Sequence, residues 1–258
     1  MSQGKVRLGG MALANGVLVH GPTAWACAIR SDAGEIKIAS ARKRVLAPRL
    51  QQQPFLRGPI KLIESFAFLP ELRRKLPEAR LPFERPAVLA ATLASAATVQ
   101  AVRRSDRLGD TARELFSRAL SLAPALLALR GGELAAYHGA EHVSIGSYEH
   151  GEKRAKEHER CGSHLIGPLL AASAAGNVLA ARAPERLRGT ARMGSTIGAV
   201  GIAVEVFAWM TKHPQHPLSK ALARPGHELQ HRIATAEPSA AQLEVAEAAL
   251  AACLELEG

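Results

Sequence analysis

The residues Tyr137-His138-Gly139-Ala140-Glu141-His142 set two histidines four positions apart. On a helix that spacing stacks them on one face, where two imidazoles can share one metal ion. Glu141, three residues from His138, reaches the same side, and His-x-x-Glu-His is the pattern of the inverted zinc peptidases. Leu134 and Ile145 lie on much the same stripe, which turns the site inward, and Gly139 permits close approach of a neighbour. Two ligands do not make a centre. His158 and Cys161 follow at loop spacing, with borderline and soft donor atoms. Glu205 stands alone in the apolar run Ile197–Trp209, where a carboxylate is costly unless paired, protonated or metal-bound.

These residues predict a divalent metal centre, zinc by preference, with roles that can be assigned. His138 and His142 are the first two ligands. Glu205 is the expected third, His158 its competitor, and Cys161 either a ligand or a buried thiol. An open fourth position is left for water, Glu141 is the general base, and Arg160 stabilises a developing oxyanion. A second match, His227-Glu228-Leu229-Gln230-His231, has the His-Glu-x-x-His form of zinc peptidases but follows Pro225-Gly226, and reads as a chance match. Other chemistries lack their parts. There is no Gly-x-Ser-x-Gly elbow, only three aspartates, and no phosphate-cradling glycine loop.

The elements that must position this chemistry fall into four stretches. Residues 1–50 read as a small β-rich unit, with hairpin turns expected at Asn15-Gly16 and Asp32-Ala33-Gly34. Residues 51–85 hold an amphipathic helix, with Leu62, Ile63, Phe66 and Leu69 predicting one buried face, then a Pro-containing linker. Residues 86–232 form the helical body that carries the His/Glu site. It contains four apolar segments, Pro86–Val102, Leu115–Leu129, Leu165–Ala181 and Met193–Thr211, at or just under bilayer-spanning length. Hydropathy alone leaves a membrane bundle and a buried soluble bundle both open. Residues 233–258 predict an amphipathic C-terminal helix opened by a Ser239–Gln242 capping box, with Leu243, Ala246, Leu250 and Leu254 as its stripe.

Composition narrows the class. At 47% hydrophobic and 22% charged, the chain is globular rather than disordered. Three scattered cysteines argue against a disulfide framework and for a reducing compartment. Of the +10 net charge, +9 lies in residues 1–85. That excess would suit nucleic acid, but aromatics are only 4% and no known module is visible, so nucleic acid is not the expected partner. The basic run Arg42-Lys43-Arg44 reads as a solvated turn.

Ordered motifs along nearly the whole chain resemble the YqhQ-like family of membrane proteins. They include Gly9-Gly10-Met11-Ala12 with Gly16-Val17 and Gly21, Phe55-Leu56-Arg57-Gly58 and Ile63-Glu64-Ser65. They continue through Tyr137–His142, Tyr148-Glu149, His158-x-Arg160-Cys161-Gly162-Ser163, Glu205-Val206, Pro225-Gly226-x-x-Leu229-Gln230, Glu237-Pro238 and Gln242–Ala246. The chain departs from the family pattern at Asn15, where glutamate is usual, and at Val143, where lysine is usual. His227, Glu228 and His231 lie outside that pattern.

The resemblance implies a mainly α, membrane-embedded helical bundle with a small N-terminal β-rich unit, and a metal-dependent enzyme of unassigned substrate. The expected function is therefore metal-assisted hydrolysis of a small molecule or peptide. The alternative is a non-catalytic membrane-associated scaffold whose basic N-terminal region holds anionic lipid. An even number of spans and the positive-inside rule place the N-terminus on the cytoplasmic side of a membrane, the alternative location being the cytoplasm itself. Membrane lipids are the expected partners, and a homo-oligomer is compatible with the sequence.

Overall fold

The apolar runs on either side of Asn15 pair as an antiparallel hairpin, shifted by one residue from the expected turn. Leu13 pairs with Gly16, so the two loop residues are Ala14 and Asn15. Gly16 is required for closeness rather than for turning: a Cβ there would collide with Ala28 O and come within 2.8 Å of Ile29 Cα on the next strand. The computed structural model describes residues 5–43, 53–105, 109–129 and 132–258. Four strands, β1 (Gly9–Leu13), β2 (Gly16–His20), β3 (Ala24–Arg30) and β4 (Ile36–Arg42), form one sheet in the order β1-β2-β3-β4. The second predicted turn holds, with Gly34 at φ 84° and Ser31 N–H donating to Glu35 O at 2.9 Å. Residues 44–50 of the expected β-rich stretch, Arg44 among them, lie outside the described residues.

The rest is helical: α1 (Arg57–Ala67), α2 (Leu69–Lys75), α3 (Pro86–Arg104), α4 (Asp110–Leu129), α5 (Gly132–His150), α6 (Ile166–Ala181), α7 (Arg188–Lys212), α8 (Pro217–Leu229) and α9 (Ala240–Glu257). The fold is thus mainly helical with an N-terminal four-stranded antiparallel sheet. The chain divides into two compact units, one of Met1–Ala41, Lys75–Lys156 and Arg232–Gly258, the other of Arg42–Arg74 and Glu157–His231.

In the first unit α5 and α9 cover the sheet. Val17, Val19, Ala26 and Ala28 meet Leu134, Tyr137, Ala140 and Ile145 of α5 and Val245, Ala246, Ala249 and Cys253 of α9. Each fully buried valine or isoleucine here contributes about 1.5–3 kcal/mol. The predicted capping box opens α9: Gln242 N–H donates to Ser239 Oγ at 3.4 Å and Ser239 N–H to Gln242 Oε1 at 2.8 Å. Its most buried residues are small ones, and Leu243, Leu250 and Leu254 pack only at the margin, because alanines let the helix axis approach the sheet. At its far end the Glu257 carboxylate accepts from Thr23 N at 2.8 Å and Ala24 N at 2.7 Å, capping the start of β3. The Pro-containing linker is tied down as well, for Asn15 donates to Glu78 O at 3.1 Å and accepts from Arg80 N at 3.0 Å. Helices α3 and α4 form an apolar hairpin in the same unit, stitched by Ser95 Oγ–H to Leu120 O at 2.6 Å.

In the second unit α6 and α7 form another apolar hairpin, crossed by α8 where Gly167 leaves no room for a Cβ against Leu222 O. All four apolar segments are therefore helices. Among the described residues, two stretches, Gly162–Ala181 and Glu185–Lys212, are long and apolar enough to cross a membrane, at mean hydropathy 1.4 and 1.5. Only 22% of each apolar window is buried, against the mostly buried state of a soluble core helix. Leu169, Leu170, Val178 and Leu179 of α6 point outward, as do Met193, Ile197 and Ile202 of α7.

Helix α1 overturns an expectation. Its apolar stripe is exposed rather than buried, Ile63 at 62% and Phe66 at 46%; the Leu62 side chain lies outside the described residues. The inward side of α1 is polar because it meets Glu205 on α7.

Candidate metal centre

Helix α5 has three functional sides. Leu134, Tyr137 and Ile145 bind it to the sheet core. Gly139 faces the segment before α9, where a Cβ would collide with Ala236 O, and Ala236 N–H donates to Ala135 O at 2.9 Å. His138 and His142 lie between these two sides, their ring centroids 4.4 Å apart at 59°.

Both rings are oriented by backbone carbonyls outside the helix. His138 Nδ1 bonds Ala234 O at 2.8 Å, and His142 Nδ1 bonds Lys156 O at 2.6 Å. A carbonyl only accepts, so each Nδ1 is the donor, and in the neutral ring the lone pair is then on Nε2. Carbonyl-anchored Nδ1–H with Nε2 as donor atom is the usual outer-shell arrangement of a metal-bound histidine. By contrast, His150 and His213 turn back on their own helices, to Gly146 O and Trp209 O, both at 3.0 Å.

Glu141 is buried and faces β1, where the absence of a side chain at Gly10 makes room for it; a Cβ there would overlap its carboxylate. A buried carboxylate on the helix that carries two imidazoles is a residue type suited to proton transfer.

Of the three cysteines, Cys27 and Cys253 are core residues with no exposure, and burial pushes the Cys27 thiol up to about 12. Cys161 is partly buried at the start of a 3-10 turn, Gly162–Leu165. Burial raises its thiol above the ordinary value, opposed by hydrogen bonds from Ser163 and Gly162. Within the first unit His138 and His142 form a two-imidazole pair; a sulfur such as that of Cys161, which belongs to the second unit, would complete a donor set that suits zinc.

The other sequence-selected residues belong to the second unit. For Glu205, Arg57 Nε donates to its Oε1 at 2.7 Å, Arg57 Nη2 to its Oε2, and Phe55 N to Oε1 at 3.2 Å. Pairing with Arg57 offsets its cost in an apolar run. The backbone N–H of His158 donates to Gln230 Oε1 at 2.8 Å. Arg160 is partly buried beside Cys161 in the chain. His227 and His231 stack at 6.3 Å, and His231 Nδ1 lies 2.9 Å from Glu157, without joining a metal-binding group among the described residues.

Sequence reasoning did not single out Gln230. It is fully buried where α8 passes into a π-helical turn, Gln230–Ala234. Its Nε2 donates to Ser163 Oγ at 2.7 Å and shares contacts with His158 O and His164 Nδ1, both at 3.3 Å. Gly226, one turn earlier, lets α8 ride directly over Ser163, since a Cβ there would strike the Ser163 backbone. The amide thus clamps the whole His158–His164 loop that carries Cys161. Its only signal in the sequence was its place in the Pro225-Gly226-x-x-Leu229-Gln230 motif. Ala234 O and Lys156 O, which aim the histidines, had no side-chain signal at all. Gln230→Leu is expected to cost roughly 2–4 kcal/mol, because the loop's buried donors and acceptors lose partners that leucine cannot replace. Thermal unfolding of the variant reads that cost.

Residues 133–256 match the family described as "Protein of unknown function (DUF1385)". All seven candidate site residues, from His138 to Glu205, fall within the matched stretch. No curated protein and no solved structure matches the chain.

Proposed function

We propose that this chain is a membrane-anchored, metal-dependent hydrolase whose metal, zinc by preference, is carried by His138 and His142. The observation that carries this reading is the pair of Nδ1–carbonyl bonds, which leaves both rings presenting Nε2 as the donor atom. Of the candidate third ligands, Glu205 has its oxygens held by Arg57, and Cys161 offers the donor type that zinc prefers. A bound zinc supplies Lewis acidity, polarising a carbonyl or phosphoryl oxygen and acidifying water. The chain's own residues do the rest. Glu141 accepts the proton of the attacking water from its place against Gly10. Arg160 offsets negative charge that develops on the substrate. Gln230 keeps the loop bearing Cys161 and Arg160 in one conformation.

Membrane anchoring is supported by the α6–α7 hairpin, whose two apolar stretches expose their side chains. The net charge of +9 in residues 1–85 favours the cytoplasmic side for the N-terminus, facing anionic lipid.

Elemental analysis of the detergent-purified chain tests the metal. About one transition-metal ion per chain is expected, absent from His138→Ala. No metal under any purification would leave the non-catalytic scaffold reading, which the basic N-terminal third favours. Fractionation without detergent tests the anchor: the chain should sediment with membranes through alkaline carbonate, and complete recovery in the supernatant would defeat it.

A further inference from the structure

An amphipathic helix on a protein surrounded by water hides its apolar stripe. Helix α1 does the reverse. Leu56, Ile63 and Phe66 share one side of the helix and are 48%, 62% and 46% exposed; Phe55, at 56%, extends the patch. The opposite side is polar and tightly seated. Arg57 makes its two-pronged pair with Glu205, and Gly58 lies so near α7 that a Cβ would come within 2.7 Å of Val204 Cβ. An apolar patch of this kind that is left outward marks a partner surface.

The level at which α1 is pinned identifies the partner. Glu205 lies seven residues from Lys212 at the end of α7, about 10 Å along the axis. Trp209 lies between them, with the rings of His213 and His216 packed on it at 5.0 and 5.1 Å. A tryptophan flanked by histidines and a lysine at the end of an apolar helix marks the headgroup level. The Arg57–Glu205 pair therefore holds α1 about one to two turns below that level, the depth at which interfacial helices bury their apolar faces. Residues 42–74 carry eight basic and two acidic side chains, a complement to anionic headgroups.

We infer that α1 is an in-plane membrane helix, its Leu56–Ile63–Phe66 face inserted at the headgroup–acyl boundary of an anionic leaflet and its depth set by the Arg57–Glu205 pair. The inference rests on the reading of α6 and α7 as bilayer-spanning.

The test uses the full chain reconstituted in vesicles of phosphatidylcholine and phosphatidylglycerol. Single tryptophans are added at Ile63→Trp on α1, Val178→Trp on α6 and Ile38→Trp on the exposed strand β4, and the added emission is read against the parent chain. Ile63→Trp should be quenched several-fold more strongly by bromine-labelled lipid than by aqueous iodide, as should Val178→Trp, while Ile38→Trp answers to iodide. If Val178→Trp is lipid-quenched but Ile63→Trp answers to iodide, α1 faces water and the inference is overturned. If Ile63→Trp is shielded from both quenchers, the patch is covered by protein, a second copy included, and the inference is again overturned. If Val178→Trp itself escapes lipid quenching, the spanning reading has failed and takes this inference with it.

Discussion

His142→Ala is expected to empty the metal site and abolish hydrolysis. His142 is almost fully enclosed, and its ring is aimed by the Lys156 carbonyl, so no other side chain can swing into its place. Apparent binding energies of structural zinc run to about 10–16 kcal/mol spread over the ligands, so losing one ligand should cost roughly 3 kcal/mol, a fall in affinity of more than about 100-fold. Metal content after dialysis against a weak chelator reads this directly. The comparison variants separate ligand from base. Glu141→Gln should retain the metal and lose turnover on a panel of chromogenic esters and phosphoesters, since the amide keeps the shape but cannot take a proton. Cys161→Ser should weaken metal binding, while Glu205→Ala, His158→Ala and His227→Ala should leave it intact. If Glu141→Gln empties the site while Cys161→Ser leaves it filled, the carboxylate is the ligand and the thiol is a bystander. Retention of metal by both His138→Ala and His142→Ala would move the centre elsewhere and reopen His227 and His231.

Gly139→Ala should be the most damaging single-methyl change in α5. In an unpacked helix the substitution gains about 1 kcal/mol. Here the new Cβ would fall on Ala236 O, a backbone atom that cannot move aside without breaking its own segment's bond to Ala135 O. Overpacking against backbone costs about 3 kcal/mol, and the broken hydrogen bond about 1 more. The clash wins, with a net loss of roughly 3 kcal/mol, or about 6–12 °C in Tm for a chain of this size. The same shift would pull Ala234 O away from His138 Nδ1, so metal affinity should fall together with stability. Gly189→Ala is the control. Nothing lies within 4 Å of a Cβ at Gly189 in α7, so that change should be neutral or stabilising by up to about 1 kcal/mol. Equal Tm values for the two variants would show that the segment before α9 does not pack on Gly139.

Much of the architecture was legible in the residues because it is written in local rules. The hairpin signals at Asn15-Gly16 and Gly34, the capping box of Ser239 and Gln242, and the i, i+4 histidine pair depend on neighbours within a few positions. So did the inward turn of α5 and the need for a close neighbour at Gly139, since helical geometry fixes which residues share a face. What local rules did not supply was long-range pairing. Glu205 reads as paired, protonated or metal-bound, and its partner, Arg57, lies 148 positions away, beyond any local rule. The stripe on α1 predicted a buried face correctly as to periodicity but not as to side, since periodicity locates an apolar face without saying whether protein or lipid covers it.

The sequence by itself determined the helix that carries the two histidines, the sheet that supports it and the residue types available for metal chemistry, because these follow from spacing along one chain. The tertiary structure decided which nitrogen each histidine presents, which carboxylate is paired and which glutamine clamps the Cys161 loop. Those depend on backbone carbonyls and distant side chains such as Ala234 O, Lys156 O, Arg57 and Gln230. A carbonyl is common to every residue, so its position in space, and not its identity, aims the imidazole, and position is what folding alone supplies.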